Sequence, residues 1–494
     1  MMEWGEILSS TEVIAAKGFP KNEIRHVTNN SGQVKEGSLF VAIAGLKVDG
    51  HNFINEAVAK NAAAIVIEDS RFASDEYPWV RVQNTRKALA DLSNAVYGFP
   101  SARLNVIGVT GTNGKTTTTN LIATVLEDAG HKTGLIGTIH NRIGTEIIPV
   151  SHTTPEAHEL CELFLTFVDK GASYAVMEVS SHALVLQRVR GTEFDVAVFT
   201  NLTQDHLDFH ENMEKYLEAK GRLFSELGTK NKKQRRKFAI INNDDQYAGA
   251  LTDMASVPVI TYGIKNDADV KAESIEFKPQ GVFFVLRYTN KVLPIQLKMT
   301  GLFNVYNALA AIAVGLIEGI PAEDLIASLE RVNGIPGRFE KVEQGQEFTV
   351  IVDYSHTPDS LENCLRTARQ LTDGRIITVF GCGGDRDRKK RPIMGEKAGR
   401  LSDFCVVTSD NPRSENPQAI IDEIIPGLKK TTKPDSFIEI VDRREAIYRA
   451  ISEARPQDVV IIAGKGHETY QIIGTEIIPF DDRQVASEAL RNRR

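Results

Sequence analysis

Long apolar runs are missing from this chain. No stretch approaches the roughly 18 apolar residues of a membrane-spanning helix, so the sequence offers no membrane segment. The opening residues, MMEWGEILSS, lack the basic start and apolar stretch of a secretion signal. Cysteine is scarce. Cys161, Cys364, Cys382 and Cys405 are too scattered for metal-ligand spacing or a disulfide framework, and they read as buried, reduced thiols of a cytoplasmic protein. A large excess of either charge is missing too. The formal net charge of −7 argues against a nucleic-acid binder. The local exception, KNKKQRRK at 230–237, has no interleaved aromatics and reads as a solvated loop between a helix and a strand.

What remains is ordinary globular material in a long chain. At roughly 150 residues per domain, 494 residues suggest about three cores. The residue pattern divides the chain at 1–100, 101–335 and 336–494. The first part mixes short strands (SLFVAIAG, AAAIVIED) with a helix (TRKALADLSNAVYG) and ends at Phe99-Pro100. The second opens with the buried-strand run LNVIGVT and the helix KTTTTNLIATVLEDAG, capped by Gly130. Strands YAVMEVS, DVAVFTN and FAIINND alternate with helices, which predicts a parallel sheet. Over 257–299 alternating segments such as GVFFVLRYT and KVLPIQLKM predict an antiparallel addition, followed by two helices and a Gly334–Gly337 linker. The third part repeats the α/β alternation and predicts an open, Rossmann-like sheet, with ligands beyond the carboxyl ends of its strands.

The segment VIGVTGTNGKTTTTN is a strand, a glycine turn and a helix start. Free N–H groups and the helix dipole there suit a phosphate. Gly111, Thr112, Asn113, Gly114, Lys115, Thr116 and Thr117 form the loop. Lys115 suits the terminal phosphates and the Thr116 hydroxyl suits Mg²⁺. Val109 stands where the general pattern has glycine, so the loop is a variant. It predicts ATP binding, yet a motor, a switch, a kinase or a ligase could each carry it.

Other segments narrow the chemistry. Glu178 ends a strand (MEVSSHAL) and is either a magnesium ligand or a solvated strand end. His206 in TNLTQDHLD is a metal ligand, a phosphate partner or a surface residue. Lys220 in EAKGRLF reads alone as an ordinary lysine. Beside magnesium it would have to become a carbamate to act as a ligand. In the third part GCGGDRDRKKRP, TSDNPRSENP and AGKGHETYQ each follow a strand. They carry Arg386, Asp410, Asn411, Arg413 and Glu468, a set of cations and carboxylates that suits a zwitterion or forms a surface salt-bridge cluster.

Together TGTNGKT, MEVSSHAL, TNLTQDHLD, EAKGRLF, GLFNVYNALAA, GIPGRFE, DYSHTP and AGKGHE resemble the Mur ligases in kind and order, over nearly the whole chain. The folate polyglutamate-adding enzymes share the loop but should lack DNPR and a uridine domain. The resemblance implies an α/β chain of three domains: a uridine-binding domain (1–100), a central ATP-binding domain (101–335) and an amino-acid-binding domain (336–494). It implies an ATP-dependent ligase of peptidoglycan precursor synthesis that works through an acyl phosphate. Ser31, Thr153, Thr154, Ser180 and Arg188 then match positions that hold a UDP-muramoyl dipeptide. The family's usual Asp-Ser-Arg is replaced here by Asn30-Ser31-Gly32. Asn304, Arg338 and Asp353 match positions near adenine and ribose. Thr116, Glu178, His206 and a carbamylated Lys220 match the Mg²⁺ ligands, and Lys115, Lys220, Glu178 and His206 the catalytic set. Asp410, Asn411, Pro412 and Arg413 are the DNPR of diaminopimelate-adding members, with Arg386, Gly464 and Glu468 as companions. The implied partners are small molecules (the UDP-dipeptide, meso-diaminopimelate and ATP), with no nucleic acid or membrane, acting on a cytoplasmic monomer.

Overall fold

The computed structural model describes residues 3–493 apart from 21, 46–47, 151, 230–232, 279 and 432–433. Three open sheets follow one another along the chain. The first holds β1 (Val13–Lys17), β2 (His26–Thr28), β3 (Ser38–Val41), β4 (Ala64–Ile67) and β5 (Trp79–Val82) in the order β1-β5-β4-β3-β2. All neighbours are parallel except β1 and β5. β3 and β4 are buried at every residue, as strands covered on both faces must be.

The central sheet has eleven strands: β6 (Asn105–Thr110), β7 (Thr133–Ile136), β8 (Asn141–Ile143), β9 (Glu146–Ile148), β10 (Tyr174–Glu178), β11 (Val196–Phe199), β12 (Phe238–Asn242), β13 (Val259–Gly263), β14 (Val270–Lys278), β15 (Gly281–Tyr288) and β16 (Lys291–Leu297). Their order is β16-β15-β14-β13-β12-β11-β6-β10-β7-β8-β9, so the phosphate-loop strand β6 lies in the middle, between β10 and β11. The helix Lys115–Asp128 follows it and packs beside the almost wholly buried helix Leu302–Ile317. Its end is capped as the sequence predicts. The Gly130 N–H donates to Glu127 O (2.9 Å) and the His131 N–H to Leu126 O (3.0 Å), a Schellman pair.

The antiparallel addition is narrower than its predicted span. β13 joins β12 and β14 in parallel, and only β14, β15 and β16 run antiparallel. Alternation reports a half-buried strand and not its direction, so the change of direction was placed too early. A second antiparallel edge, β8 and β9, lies at the other end of the sheet; each strand is three residues long, too short to leave a pattern.

The basic run at 230–237 is not simply a solvated loop. Residues 230–232 lie outside the described residues. Beyond them Lys233 donates to the Asp195 carboxylate (2.5 Å) and to Glu193 O (2.9 Å), Lys237 lies 3.6 Å from the Glu193 carboxylate, and Arg235 pairs with Glu318. Asp195, Glu193 and Glu318 are almost fully buried. The cations are drawn inward because buried carboxylates need countercharges, and those partners lie 38 to 83 residues away in sequence.

The third sheet comprises β17 (Glu340–Lys341), β18 (Thr349–Asp353), β19 (Ile376–Phe380), β20 (Phe404–Val407), β21 (Phe437–Glu439) and β22 (Val459–Ala463), ordered β17-β18-β22-β19-β20-β21. All neighbours are parallel except β17 and β18. A separate hairpin, β23 (Tyr470–Ile473) and β24 (Glu476–Pro479), stands beside it. The four cysteines are buried and unpaired by disulfides. Among the described residues no helix is long and apolar enough to cross a membrane.

Candidate active site

The carboxyl ends of the central and third sheets open onto one cavity of about 790 Å³. From the central sheet it receives Thr112–Thr117 after β6, Glu178 and Ser180 at the end of β10, and Thr200, Asn201, Thr203, Asp205 and His206 after β11. From the third it receives Asp353–His356 after β18, Arg386 after β19, Asp410, Asn411 and Arg413 but not Pro412 after β20, and Gly464 and Glu468 after β22. Strand ends leave backbone groups unpaired, and this edge is where open α/β sheets bind ligands.

The phosphate loop is shaped by its glycines. Gly111 (φ +149°) and Gly114 (φ +86°) both have positive φ, and a Cβ on them would meet Thr200 Oγ1 at 1.9 Å and Asn307 Oδ1 at 2.6 Å. The Thr112 N–H donates to Asn201 O (2.8 Å) and the Asn113 N–H to Asn201 Oδ1 (3.0 Å). Lys115 curls back, donating to Gly111 O (3.0 Å) and Thr112 O (2.8 Å). Loss of water lowers its pKa, with Glu178 opposing that shift. The helix that starts at Lys115 offers its first N–H groups, which have no earlier turn to bond.

Glu178 is buried beside this turn. It accepts from Thr116 Oγ1 (3.1 Å), from the Thr138 N–H (2.8 Å) and from Thr138 Oγ1 (3.0 Å). Arg338, lying over the Tyr354 ring, donates from Nη2 to Thr116 Oγ1 (2.8 Å). His206 adopts φ +55°, lies 3.3 Å from the Asp205 carboxylate and meets the His182 ring edge-on. Loss of water holds its pKa below the ordinary value, against the pull of Asp205, which keeps the imidazole neutral. Lys220 is 1% exposed, donates to Gly111 O (2.7 Å) and lies over the Tyr216 ring. Burial, then the neighbouring Lys115, drives its pKa far down. Among the described residues no three His, Cys, Asp or Glu side chains converge on a point. Glu178 and Thr116 nonetheless place a carboxylate and a hydroxyl side by side, a hard-oxygen pair that fits Mg²⁺.

Thr153, Thr154, Ser180 and Arg188 form one cluster against Glu178. Thr154 Oγ1 donates to Glu178 O (2.9 Å) and accepts from the Ser180 N–H (3.0 Å). Arg188 donates to Thr154 O (3.1 Å) and pairs with Glu156 (2.7 Å). Thr153 accepts from Thr138 Oγ1 (3.1 Å). Thr153 and Ser180 line the cavity; Thr154 and Arg188 stand behind them. Ser31 lies apart, in the turn between β2 and β3, donating to Glu56 (2.8 Å). The departure at Asn30-Ser31-Gly32 has a local use there: Asn30 Oδ1 accepts from the Gly32 N–H (2.8 Å) and caps the short turn Ser31–Gln33.

Asn304 is buried, donates to Thr300 O (2.8 Å) and accepts from Asn307 (3.2 Å); Asn307, one turn on, lines the cavity instead. Asp353 accepts from Ser355 and from the Phe339 N–H (2.7 Å), and burial raises its pKa.

At the far end Arg386 and Arg413 both line the cavity; burial, then Arg413, lowers the pKa of Arg386. Arg413 Nη1 donates to Gly384 O (2.9 Å). Asp410 Oδ2 is buried and has no hydrogen-bond partner among the described residues, and a Cβ on Gly464 would lie 2.4 Å from it. Asn411 donates to Glu468 (2.9 Å), and Pro412 O accepts from the Glu415 N–H (3.0 Å). Three further contributors are not among the candidate residues named above. Lys465, fully buried, bonds Asn411 Oδ1 (3.1 Å) and Glu468 (2.7 Å). Arg443 and Asp482 form a fully buried pair behind the site. Asp359 crosses from the third part to accept from Asn113 Nδ2 (2.8 Å). Lys465 stands inside AGKGHE and could have been found there. The other two sit in unremarkable helical sequence.

Family models cover most of the chain: the Mur ligase family catalytic domain matches residues 23–97, the Mur ligase middle domain 109–315, and the Mur ligase glutamate ligase domain 337–466. The chain is 50% identical over 492 residues to the UDP-N-acetylmuramoyl-L-alanyl-D-glutamate–2,6-diaminopimelate ligase of Syntrophomonas wolfei, covering 100% of both chains. It is 51% identical over 465 residues to the enzyme of that name from Geobacillus thermodenitrificans, covering 94% of each. A solved structure of a ligase with the same name superposes with a TM-score of 0.69 at 31% identity, over 100% of this chain and 99% of that one. The phosphate loop, the facing sheet edges and these likenesses over the full length agree: the chain belongs to the Mur ligase family.

Proposed function

We propose that this ligase joins meso-diaminopimelate to the D-glutamyl γ-carboxylate of UDP-N-acetylmuramoyl-L-alanyl-D-glutamate, with ATP cleaved to ADP and phosphate. The observation that carries the amine's identity is the far end of the cavity. Arg386 and Arg413 line that end of the cavity together with Asp410 and Glu468, and the two arginines are near enough for the charge of one to act on the other. Arg386 and Arg413 suit carboxylates, and Asp410 with Glu468 suits an ammonium. Lysine lacks the distal carboxylate and would leave a guanidinium unpaired, which a specific site penalises strongly.

In the first step an oxygen of the substrate carboxylate attacks the γ-phosphorus of ATP. ADP leaves, and an acyl phosphate remains. Both reactants are anions, so their repulsion must be cancelled. Lys115 exchanges its loop carbonyls for phosphate oxygens. Bound Mg²⁺ would supply further charge neutralisation, held by Thr116, Glu178, His206 and a carbamylated Lys220. Lys220 suits that modification because its amine is buried and its pKa is low. The neutral amine adds to CO₂ and releases one proton, turning a neutral group into an anion. In the second step the diaminopimelate nitrogen attacks the acyl carbon, loses a proton and expels phosphate. Asn304, Arg338 and Asp353 serve the adenosine. Thr153, Thr154, Ser180 and Arg188, with Ser31, serve the UDP-dipeptide. The three sheets then divide the work: residues 1–100 for uridine, 101–335 for ATP and 336–494 for the amine. The chain acts as a cytoplasmic monomer.

The test is phosphate release from ATP and the UDP-dipeptide with either diaminopimelate or lysine. Release with diaminopimelate alone supports the proposal. Release without any amine would make the chain a plain nucleotide hydrolase, and AMP in place of ADP would overturn the acyl-phosphate step.

A further inference from the structure

The hairpin β23–β24 belongs to none of the three large sheets, and the reaction above makes no use of it. Its first strand and its turn nevertheless grip the loop Asp410–Arg413 at four points. Gln471, 5% exposed, donates from Nε2 to Asp410 O (2.7 Å). The Ile472 N–H donates to Asn411 Oδ1 (3.0 Å). The Arg413 N–H donates to Ile472 O (3.1 Å), and the Gly474 N–H donates to Arg413 O (2.7 Å). The last two make Arg413 and Ile473 a one-residue parallel bridge.

That bridge holds a strained residue. Arg413 has φ +52°, a left-handed conformation that side chains with a Cβ rarely adopt unless their surroundings impose it. The backbone dihedral sets the direction of the Cα–Cβ bond. If the loop relaxed to negative φ, the guanidinium would leave the position it shares with Arg386. Gln471 is the one side chain of the hairpin in this set of contacts, and it bonds the carbonyl of the residue whose carboxylate faces the cavity.

We infer that β23–β24 is the device that fixes amino-acid selectivity, with Gln471 as its positioning residue. The inference rests on the reading that Arg413 takes the distal carboxylate of diaminopimelate. Gln471→Glu keeps the shape and removes the donor. It should raise the KM for diaminopimelate tenfold or more and lower the preference over lysine by a similar factor. The KM values for ATP and the UDP-dipeptide should stay within twofold. Gly474→Ala supplies a second variant at an open turn: no atom lies within 4 Å of the added Cβ, but φ is +62°, so the bond to Arg413 O is disturbed. It should move the same two quantities in the same direction and carries the test if Gln471→Glu does not fold. Unchanged diaminopimelate kinetics in a folded variant, or a parallel rise in all three KM values, would overturn the inference. Arg413→Ala separates the two ideas. If it leaves the preference over lysine intact, the reading of Arg413 falls and the inference with it. If it erases the preference and the hairpin variants do not touch it, the inference alone fails.

Discussion

Removing the Asp482 carboxylate should cost the third sheet more than any surface change could. Arg443 and Asp482 are both 0% exposed. The guanidinium donates to the two carboxylate oxygens at 2.8 and 2.7 Å, and also to Ala463 O (2.9 Å) and Ser409 O (3.3 Å). Those carbonyls immediately precede Gly464 and Asp410, so the pair ties together two strand ends that carry the site. Asp482→Ala strips a buried cation of its paired carboxylate and leaves only the weaker pull of Asp410 and Glu468, a loss of about 3–5 kcal/mol. At roughly 2–4 °C per kcal/mol for a unit of 150–250 residues, Tm should fall by about 10 °C, read by scanning calorimetry. Asp482→Asn keeps an acceptor and should cost less. The double variant Arg443→Met/Asp482→Leu removes both charges and should recover most of the loss, because an apolar replacement of a buried pair is often close to neutral. A double variant as unstable as Asp482→Ala, or a fall of less than about 3 °C for Asp482→Ala, would refute the reasoning.

Arg413→Ala should lower kcat/KM for diaminopimelate by roughly 10- to 150-fold, the equivalent of about 1.5–3 kcal/mol for a hydrogen bond to a charged group, with the KM for ATP unchanged in the same phosphate-release assay. Glu178→Gln keeps the volume and loses the charge; kcat should fall by about 10²–10³, with the UDP-dipeptide still binding by calorimetry. Enzyme equilibrated with ¹³C-bicarbonate should show a bound carbamate resonance that is absent from Lys220→Ala; no such signal in the active enzyme would end the case for modification.

The local features of the site were legible in the sequence, and those that depend on distant partners were not. A strand, a glycine turn and a helix start are consecutive residues, so the phosphate loop could be read directly. The DNPR segment was legible as chemistry, but its left-handed Arg413 was not, because the bridge that imposes it comes from residues about 60 positions later. The basic run failed for a related reason. Charge pattern says nothing about which buried carboxylates wait elsewhere in the fold, and Asp195 and Glu318 claim Lys233 and Arg235. Asn304 stands out in its motif, but Asn307, three residues on along the helix Leu302–Ile317, does not, although it is the one that lines the cavity; which of two neighbours on a helix faces a ligand depends on how the helix is packed. Strand direction in the 257–299 region was equally hidden, since inward and outward alternation is the same either way.

The central and third sheets meet mouth to mouth, each offering the loops after its strands to the other. A consequence is separability. The two rims share no strand and are joined by side-chain bonds such as Asn113 to Asp359 and Arg338 to Thr116, so loops away from these bonds on one rim can be rewritten while the opposite rim keeps its shape. On the proposed reading, the bond-making chemistry sits on one rim and the choice of amine on the other. For the same reason, a compound that bridges the two rims would have to be matched against both at once, and a change on either side would suffice to escape it.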